Sequence, residues 1–249
     1  LLDARKYYPT IHKEDLKVIV LEAMGEILPG FNKKLADFAK RKLVERGIEI
    51  ELKKAVTSFD GNEVTIKTLD ETPKDSIDQS EINSIITKTL IWTAGVTPVN
   101  TIKRSMFKTE KGKLIVNDFL EVQKFPGVFA IGDCALFVDP ITNRPFPPTA
   151  QIAESQAKIA AKNLISLIKN SNQEKFVYHS KGQMAIIGKR SGIATFLGVN
   201  ISGFVAWLIW RNVYLSKIPT FDKKTRVFLD WMIDLFFDRD ISRIKLMKH

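Results

Sequence analysis

Residues 128–135 read VFAIGDCA, a short apolar run that ends in a glycine followed by a carboxylate. Aspartate is depleted in β-strands and glycine weakens them, so Gly132 and Asp133 mark the end of a predicted strand over 128–131. Gly-Asp is also ordinary turn chemistry. Two interpretations therefore stay open here: a simple turn, or a strand end across which a ligand with hydroxyl groups lies.

The residues after this stretch favour a ligand site. A proline-rich loop over 139–148 leads into a segment from about Thr149 to Lys169 that predicts a helix. Gly132 lets a ligand approach the backbone, and the Asp133 carboxylate accepts hydrogen bonds from hydroxyl groups. The first residues of the helix present free N–H groups and the positive end of the helix dipole.

The remaining pattern predicts an α/β protein. The predicted elements before residue 130 are a strand over 17–22, a helix over 32–46 capped by Asn32, strands over 48–52, 55–59 and 63–69, a loop over 70–81, a strand ending at 92–95, and a hairpin through 113–116 and 119–122. A strand pair within 182–195 follows the helix. An acid at the end of the second strand of a βαβ unit can bind an adenosine ribose, which makes Glu22 a candidate. The chain has no GxGxxG motif, so a solvated acid is the alternative.

Composition excludes several classes of protein. The 249 residues are 45% hydrophobic and 27% charged, which is typical of globular chains. A single cysteine, Cys134, excludes an internal disulfide framework, suggests a reducing compartment and is expected to be a packed residue. The three histidines are scattered, so no metal site is expected. The net charge of +10 suits an anionic partner, but no nucleic-acid motif occurs and nucleic acid is not expected as a partner.

The C-terminal segment 201–249 alternates apolar, aromatic and basic residues. It contains three of the four tryptophans, Trp207, Trp210 and Trp231. A polar stripe at positions 226, 230, 234 and 238 leaves a broad apolar face on a helix. Segments too short to span a bilayer and rich in Trp and Arg suit a membrane interface, so these tryptophans are predicted membrane contacts. The alternative is a helix pair that packs on the protein's own core or on a dimer partner.

Four motifs, in this order and spacing, resemble those of type II NADH dehydrogenases, the single-chain NADH:quinone oxidoreductases that pump no protons. They are WTAGV (92–96), VFAIGDCA (128–135), PPTAQIAESQA (147–157) and KGQMAIIGKR (181–190). VFAIGD alone marks a wider flavoprotein group, whereas AQxA followed by KGxMAxIG and an aromatic, basic tail is more specific. The resemblance covers essentially the whole chain.

The resemblance implies FAD as cofactor and NADH as substrate, and it assigns no catalytic residue. It implies flavin contacts for Gly132, Asp133, Ala150, Gln151 and Lys181. Gln151 would also line the quinone entrance, and Glu22 would hold the NADH ribose. Without the resemblance, Lys181 could equally be an ordinary surface lysine.

This sequence departs from the family pattern in two respects. The family often shows AQxAxQ, but Ser155 stands where the second glutamine would be and Gln156 is displaced by one. Since each helical residue turns by about 100°, Gln156 is expected to face elsewhere. The glycine-rich loops of the family's N-terminal half are not found, so we expect this chain to lack that half.

The resemblance implies an α/β fold: the C-terminal portion of a flavoprotein with two Rossmann-like dinucleotide-binding domains, followed by an amphipathic helical region for membrane association. The expected divisions are 1–76 for part of the NADH-binding domain, 77–195 for the C-terminal part of the FAD-binding domain, and 196–249 for the membrane region. The implied function is electron transfer from NADH through FAD to a quinone at the cytoplasmic face of the cell membrane, with a homodimer as a further expectation. The alternatives are a related flavin oxidoreductase with a soluble acceptor and a non-catalytic membrane-surface module.

Overall fold

A computed structural model describes residues 12–69, 82–95, 98–140, 143–180, 182–196 and 198–237. The strands are β1 (Val18–Glu22), β2 (Ile48–Leu52), β3 (Lys54–Phe59), β4 (Glu63–Thr68), β5 (Ile82–Ile86), β6 (Thr109–Glu110), β7 (Lys113–Ile115), β8 (Ala135–Leu136), β9 (Gly182–Gly188), β10 (Ser191–Phe196) and β11 (Val199–Gly203). The helices are α1 (Lys33–Val44), α2 (Asn100–Lys103), α3 (Ala150–Ile168), α4 (Phe204–Ser216) and α5 (Phe221–Phe236).

The chain forms two compact units. Residues 1–90 and 181–249 belong to the first unit, and residues 91–180 form the second. The bounds of these two units differ from the functional divisions predicted at 76 and 195, and those divisions stay a prediction.

The first unit contains a βαβ motif, formed by the elements predicted at 17–22, 32–46 and 48–52. β1 and β2 pair in parallel, with Val18 opposite Ile48 and Glu22 opposite Leu52. Parallel neighbours need a crossover connection, and α1 supplies it. The Asn32 side chain accepts a hydrogen bond from the Lys34 N–H at 3.0 Å, which caps the start of α1. The predicted strand, helix and cap are therefore confirmed.

A second sheet of the same unit contains β3, β4 and β5 in antiparallel order. The predicted strand ending at residues 92–95 is wrong, because β5 ends at Ile86. No strand of the described residues pairs with residues 88–95. Ile91 and Trp92 are 78% and 63% exposed, so this apolar segment has neither a ladder nor a core to hold it as a strand.

A third sheet of the first unit, β9–β10–β11, is antiparallel and carries α4 on β10. The close approach occurs at Gly192, where an added Cβ would lie 3.0 Å from the Trp207 backbone nitrogen. Ile193 and Ala194 are fully buried beside it. Trp207 is only 5% exposed, so the prediction that its side chain meets a membrane is wrong: Trp207 belongs to the core of this unit.

Arginine side chains join the elements of the first unit. Arg46, just after α1, donates to the carbonyl oxygens of Ile187 at 3.1 Å and Lys189 at 3.0 Å, in the turn between β9 and β10. Arg211 of α4 lies 3.9 Å from the centre of the Trp207 ring and 4.9 Å from that of Trp231. Its guanidinium also donates to the Trp231 carbonyl at 3.1 Å, so one cation links α4 to α5.

The second unit has a small sheet in which β7 pairs antiparallel with β6 and parallel with β8. Its core consists of Leu114, Val116, Leu120, Val122, Ala130, Ala135, Phe137, Ile152 and Phe176. The long helix predicted near 149–169 is confirmed as α3, which is capped by the Thr149 side chain.

Two strand predictions in the second unit are confirmed only in part. Segments 119–122 and 128–131 contribute only isolated bridges, Val116 to Val122 and Glu121 to Phe129. The side-chain oxygen of Asn117 accepts the backbone N–H groups of Phe119 and Glu121 at 3.0 Å each, which turns the chain tightly. The predicted hairpin is therefore short: its arms are joined by the bridge between Val116 and Val122 and by the Asn117 N–H, which donates to the Glu121 carbonyl at 2.9 Å.

Candidate functional site

The Gly132-Asp133 step is a tight turn in the second unit. Ile131 is extended, and residues 132–134 then form one 3₁₀ turn that begins with Gly132 at a φ of +65°. The Gly132 N–H donates to the side-chain oxygen of Gln156 at 2.7 Å, and Gln156 is only 2% exposed. The turn is therefore fastened to α3 by a buried hydrogen bond.

Asp133 projects from this turn into solvent. Its carboxylate is exposed, and no described residue donates a hydrogen bond or forms an ion pair to it. An ionised carboxylate is an acceptor with room for several donors. The group is therefore available to bind the hydroxyls of a ligand.

The first turn of α3 lies beside the same glycine. An added Cβ at Gly132 would lie 3.3 Å from the Cβ of Ala153, which is one turn into the helix. The Thr149 side chain accepts the Ile152 N–H at 3.4 Å, and the Thr149 carbonyl accepts the Ala153 N–H at 3.1 Å. The N–H groups of Ala150 and Gln151 have no partner within the described part of the chain. Two donors at a positive helix end thus accompany the Asp133 acceptor.

Gln151 has three distinct hydrogen-bonding groups. Its side-chain oxygen accepts the Tyr178 hydroxyl at 3.3 Å, and its carbonyl accepts the Ser155 hydroxyl at 2.9 Å. Its own N–H stays free at the helix end. Gln156, by contrast, is turned into the core against Gly132, whereas its displacement by one position predicts only that it faces elsewhere.

Glu22 lies in the first unit, at the end of β1. Its carboxylate accepts the Met24 N–H at 2.9 Å, and the side chain stays partly exposed. Lys53 approaches the same loop: its N–H donates to the Met24 carbonyl at 3.0 Å, and its Cε lies 3.6 Å from where a Gly25 Cβ would be. The loop that follows Glu22 is therefore held at Met24 by one hydrogen bond to the Glu22 side chain and one from the Lys53 backbone.

The structure brings Gly132, Asp133, Ala150 and Gln151 together in one unit. Lys181 lies outside the described residues. The sequence reasoning missed Tyr178 and the buried role of Gln156. The aromatic alternation in Phe176-Val177-Tyr178, directly before the 181–190 motif, is the signal that could have indicated a packed tyrosine.

The sequence of this chain matches the family model described as pyridine nucleotide-disulphide oxidoreductase over residues 8–157. The chain belongs to this family. A second model, described as the NDH2 C-terminal domain, matches residues 180–240 of this family member.

Relatives of this pyridine nucleotide-disulphide oxidoreductase chain are NADH dehydrogenases. It is 33% identical to a probable NADH dehydrogenase of Dictyostelium discoideum, covering 96% of this chain and 50% of the relative. It is 30% identical to the type II NADH:quinone oxidoreductase Ndh of Mycobacterium tuberculosis, covering 90% of this chain and 47% of the relative. The chain thus spans about half the length of the curated relatives it matches. The resemblance to type II NADH dehydrogenases is confirmed.

The fold is also that of a solved relative. NDH2 from Plasmodium falciparum in complex with NADH superimposes with a TM-score of 0.81 at 17% identity, covering 96% of this chain and 61% of that one. This similarity confirms the predicted α/β fold class.

Replacing Gly132 with alanine should destabilise the protein more than the same change at Gly127. Both glycines have positive φ, +65° and +81°, which costs an alanine roughly 1–2 kcal/mol. Only Gly132 also faces Ala153, whereas nothing lies within 4 Å of an added Cβ at Gly127. Urea unfolding of the two variants measures the difference. Equal losses would show that Ala153 yields without cost and that the close approach of turn and helix is unimportant.

Proposed function

We propose that this protein passes electrons from NADH through FAD to a membrane quinone. The observation that carries the proposal is the site in the second unit: a free carboxylate at Asp133 and two free N–H groups at the start of α3, fastened together through Gln156. The names of the relatives support the choice of NADH as donor and quinone as acceptor.

The residues of this site fit a flavin. The Asp133 carboxylate suits the hydroxyls of the ribityl chain, and the glycine before it leaves the backbone accessible. The Ala150 and Gln151 N–H groups suit an electron-rich ring edge, because the positive helix end stabilises negative charge there. Bound FAD would supply two-electron acceptance from NADH and delivery to the quinone. The protein's part is to bind the ring and to stabilise its charge.

Glu22 is proposed to hold the adenosine ribose of NADH. Its carboxylate stands at the end of β1, and the proposal takes β1 as the second strand of a dinucleotide-binding βαβ unit, where such acids accept ribose hydroxyls. A carboxylate repels a 2′-phosphate, so the site should favour NADH over NADPH. Lys181 remains a proposed contact near the flavin's reacting face.

Gln151 is proposed to serve both the flavin and the quinone. Its backbone N–H is free at the helix end, and its side chain is held by Tyr178. Ser155 replaces the second glutamine of the family pattern, and its hydroxyl bonds back to the Gln151 carbonyl. A residue engaged in this way has no free donor for the quinone, so Gln151 is left as the proposed amide contact.

The tail helices are proposed to rest on a membrane surface. Large apolar side chains are exposed on them: Phe204, Val205, Leu208, Tyr214, Phe221, Phe228, Leu229, Met232, Ile233, Phe236 and Phe237. Trp210 and Trp231 are partly exposed and stay in the proposal, whereas the buried Trp207 does not. Among the described residues, no helix has the length and apolar character needed to cross a bilayer.

The tail is proposed to attach the protein to the membrane peripherally. Residues 201–249 contain nine Lys or Arg and five Asp, a modest positive surplus for anionic lipid. The cytoplasmic face of the cell membrane and a homodimeric state belong to the proposal as well. A buried apolar face contributes roughly 25 cal/mol per Å², so the apolar contacts should dominate.

Asp133→Ala should weaken flavin retention by the holoenzyme. Losing a charge-assisted hydrogen bond costs on the order of 1.5–3 kcal/mol, or roughly tenfold to over a hundredfold in affinity. The flavin absorbance that remains after dialysis measures the loss. Asp118→Ala is the matched control, because this exposed aspartate of the same unit pairs with Lys175 at 2.8 Å. Full flavin retention by Asp133→Ala would make Asp133 a turn residue only.

The holoenzyme should oxidise NADH only when a quinone is present. Glu22→Ala should raise the KM for NADH and reduce the enzyme's preference for NADH over NADPH. The reason is the loss of the ribose acceptor and of its repulsion of the 2′-phosphate. Steady-state kinetics with both nucleotides measures the effect. Glu26→Ala removes the same charge from the same exposed loop and serves as control. An unchanged nucleotide preference in Glu22→Ala would contradict the assignment, and absence of quinone-dependent oxidation in the parent would contradict the function.

Changing Phe221, Phe236 and Phe237 together to serine should release the protein from anionic liposomes. These side chains are 81%, 78% and 68% exposed, so the change should leave the melting temperature unaltered. High salt should loosen the parent without releasing it fully, because salt screens only the charge attraction. Flotation measures both. The control Ile86→Ser/Met106→Ser changes two equally exposed apolar residues outside the tail. If the triple variant floats like the parent, the tail is not the attachment surface.

A further inference from the structure

We propose that Tyr178 is a positioning residue that orients the Gln151 carboxamide, so that its NH₂ group is presented to the electron acceptor as a hydrogen-bond donor. The inference rests on the proposed function and names a further residue for it. The contact that carries it is the hydrogen bond from the Tyr178 hydroxyl to the Gln151 side-chain oxygen at 3.3 Å.

A carboxamide has two unlike ends, and fixing one determines what the other offers. The oxygen accepts and the NH₂ group donates. With its oxygen held by Tyr178, the Gln151 amide directs the NH₂ away from the tyrosine. No other hydrogen bond to the Gln151 side chain is made by the described residues. Quinone carbonyls only accept, so an amide turned the other way would set oxygen against oxygen.

The tyrosine ring is itself held by an aromatic cluster. Its centre lies 5.7 Å from that of Phe146 in an edge-to-face arrangement and 6.5 Å from that of Phe176 in a stacked one. Phe176 is 2% exposed, and its N–H donates to the Asp118 carbonyl at 2.8 Å. Aromatic pairs with these spacings favour one ring orientation. The hydroxyl is therefore delivered from a fixed position.

The hydroxyl also keeps its proton. Burial raises the pKa of Tyr178 above its ordinary value, since desolvation disfavours the phenolate. The group thus remains a donor at neutral and mildly alkaline pH. Its role toward Gln151 does not change over that range.

The test separates the two half-reactions of the holoenzyme by stopped flow, with NADH as reductant and a short-chain ubiquinone analogue as oxidant. Tyr178→Phe keeps the ring and removes the hydroxyl. It should slow flavin reoxidation by the quinone about 3- to 10-fold and leave flavin reduction by NADH within about twofold, as expected for one neutral hydrogen bond. In a Gln151→Ala background the same change should add nothing. Equal slowing of both half-reactions, or additive losses, would overturn the proposal.

Gln151→Glu distinguishes orientation from mere contact. The carboxylate can still accept the Tyr178 hydroxyl but has no NH₂ to present, so reoxidation should fall as in Gln151→Ala while the melting temperature stays near that of the parent. Normal reoxidation in Gln151→Glu would overturn the proposal. Ser105→Ala is the control, because it removes a hydroxyl hydrogen bond of the same unit, to the Ile102 carbonyl at 2.7 Å, that lies outside the candidate site.

A double-mutant cycle of melting temperatures tests the contact between Tyr178 and Gln151 without any quinone. Tyr178→Phe and Gln151→Ala should each lower the melting temperature, and the double variant should fall no further than the larger single loss. Additive shifts would show that the two side chains do not interact and would overturn the proposal. A parent enzyme that shows the thermal coupling yet reduces no quinone would contradict the proposed function and leave the orientation of Gln151 supported.

Discussion

Two buried amides on one face of α3 determine where that helix begins. Gln156 and Asn163 are seven residues apart, so they lie two turns apart on the same side. Gln156 accepts the Gly132 N–H, while Asn163 donates to the carbonyls of Phe119 and Glu174 and accepts the Glu174 N–H at 2.8–3.0 Å. Both side chains are almost completely buried, at 2% and 0% exposure. An unpaired amide there would cost roughly 1–3 kcal/mol per lost partner, so the helix has little freedom to slide.

The position of the helix start has a chemical consequence. With α3 fixed in register, its first turn stays beside the Gly132 turn, where an added Cβ would lie 3.3 Å from the Cβ of Ala153. The Asp133 acceptor and the free N–H groups of the helix start therefore belong to two elements that are fastened to each other. The aromatic cluster of Phe146, Phe176 and Tyr178 completes this arrangement by holding the end of the Gln151 side chain.

The sequence predicts those parts of the fold whose cause is local. The Asn32 cap, α1 and α3 depend on periodicity and capping, and all three were predicted correctly. The strand predicted to end at 92–95 failed because a strand requires a partner, and the residue pattern says nothing about whether one is present. The stretch 128–131 has a partner, but only one bridge, between Glu121 and Phe129, forms. Trp207 shows the same limit. The sequence around it resembles that around Trp210 and Trp231, but only the packing of α4 on Gly192 makes it a core residue.

The candidate site likewise has parts that the local sequence predicts and parts that depend on tertiary contacts. Asp133 and the helix start could be located from the glycine-acid step and the helical pattern. The hydrogen bond between Tyr178 and Gln151 joins residues 27 positions apart. The hydrogen bond from the Gly132 N–H to the Gln156 side chain joins residues 24 positions apart. Such contacts depend on tertiary packing, which a motif does not encode.

The arginine that joins α1 to the β9–β10 turn has a consequence for how this protein can change over evolutionary time. An added Cβ at Gly188 would lie 1.3 Å from the Arg46 guanidinium nitrogen, so a side chain at 188 would push the guanidinium out of its present position. Loss of the arginine would leave the Ile187 and Lys189 carbonyls without their donor. A lineage that acquires a side chain at 188 would therefore need another way to fasten the turn.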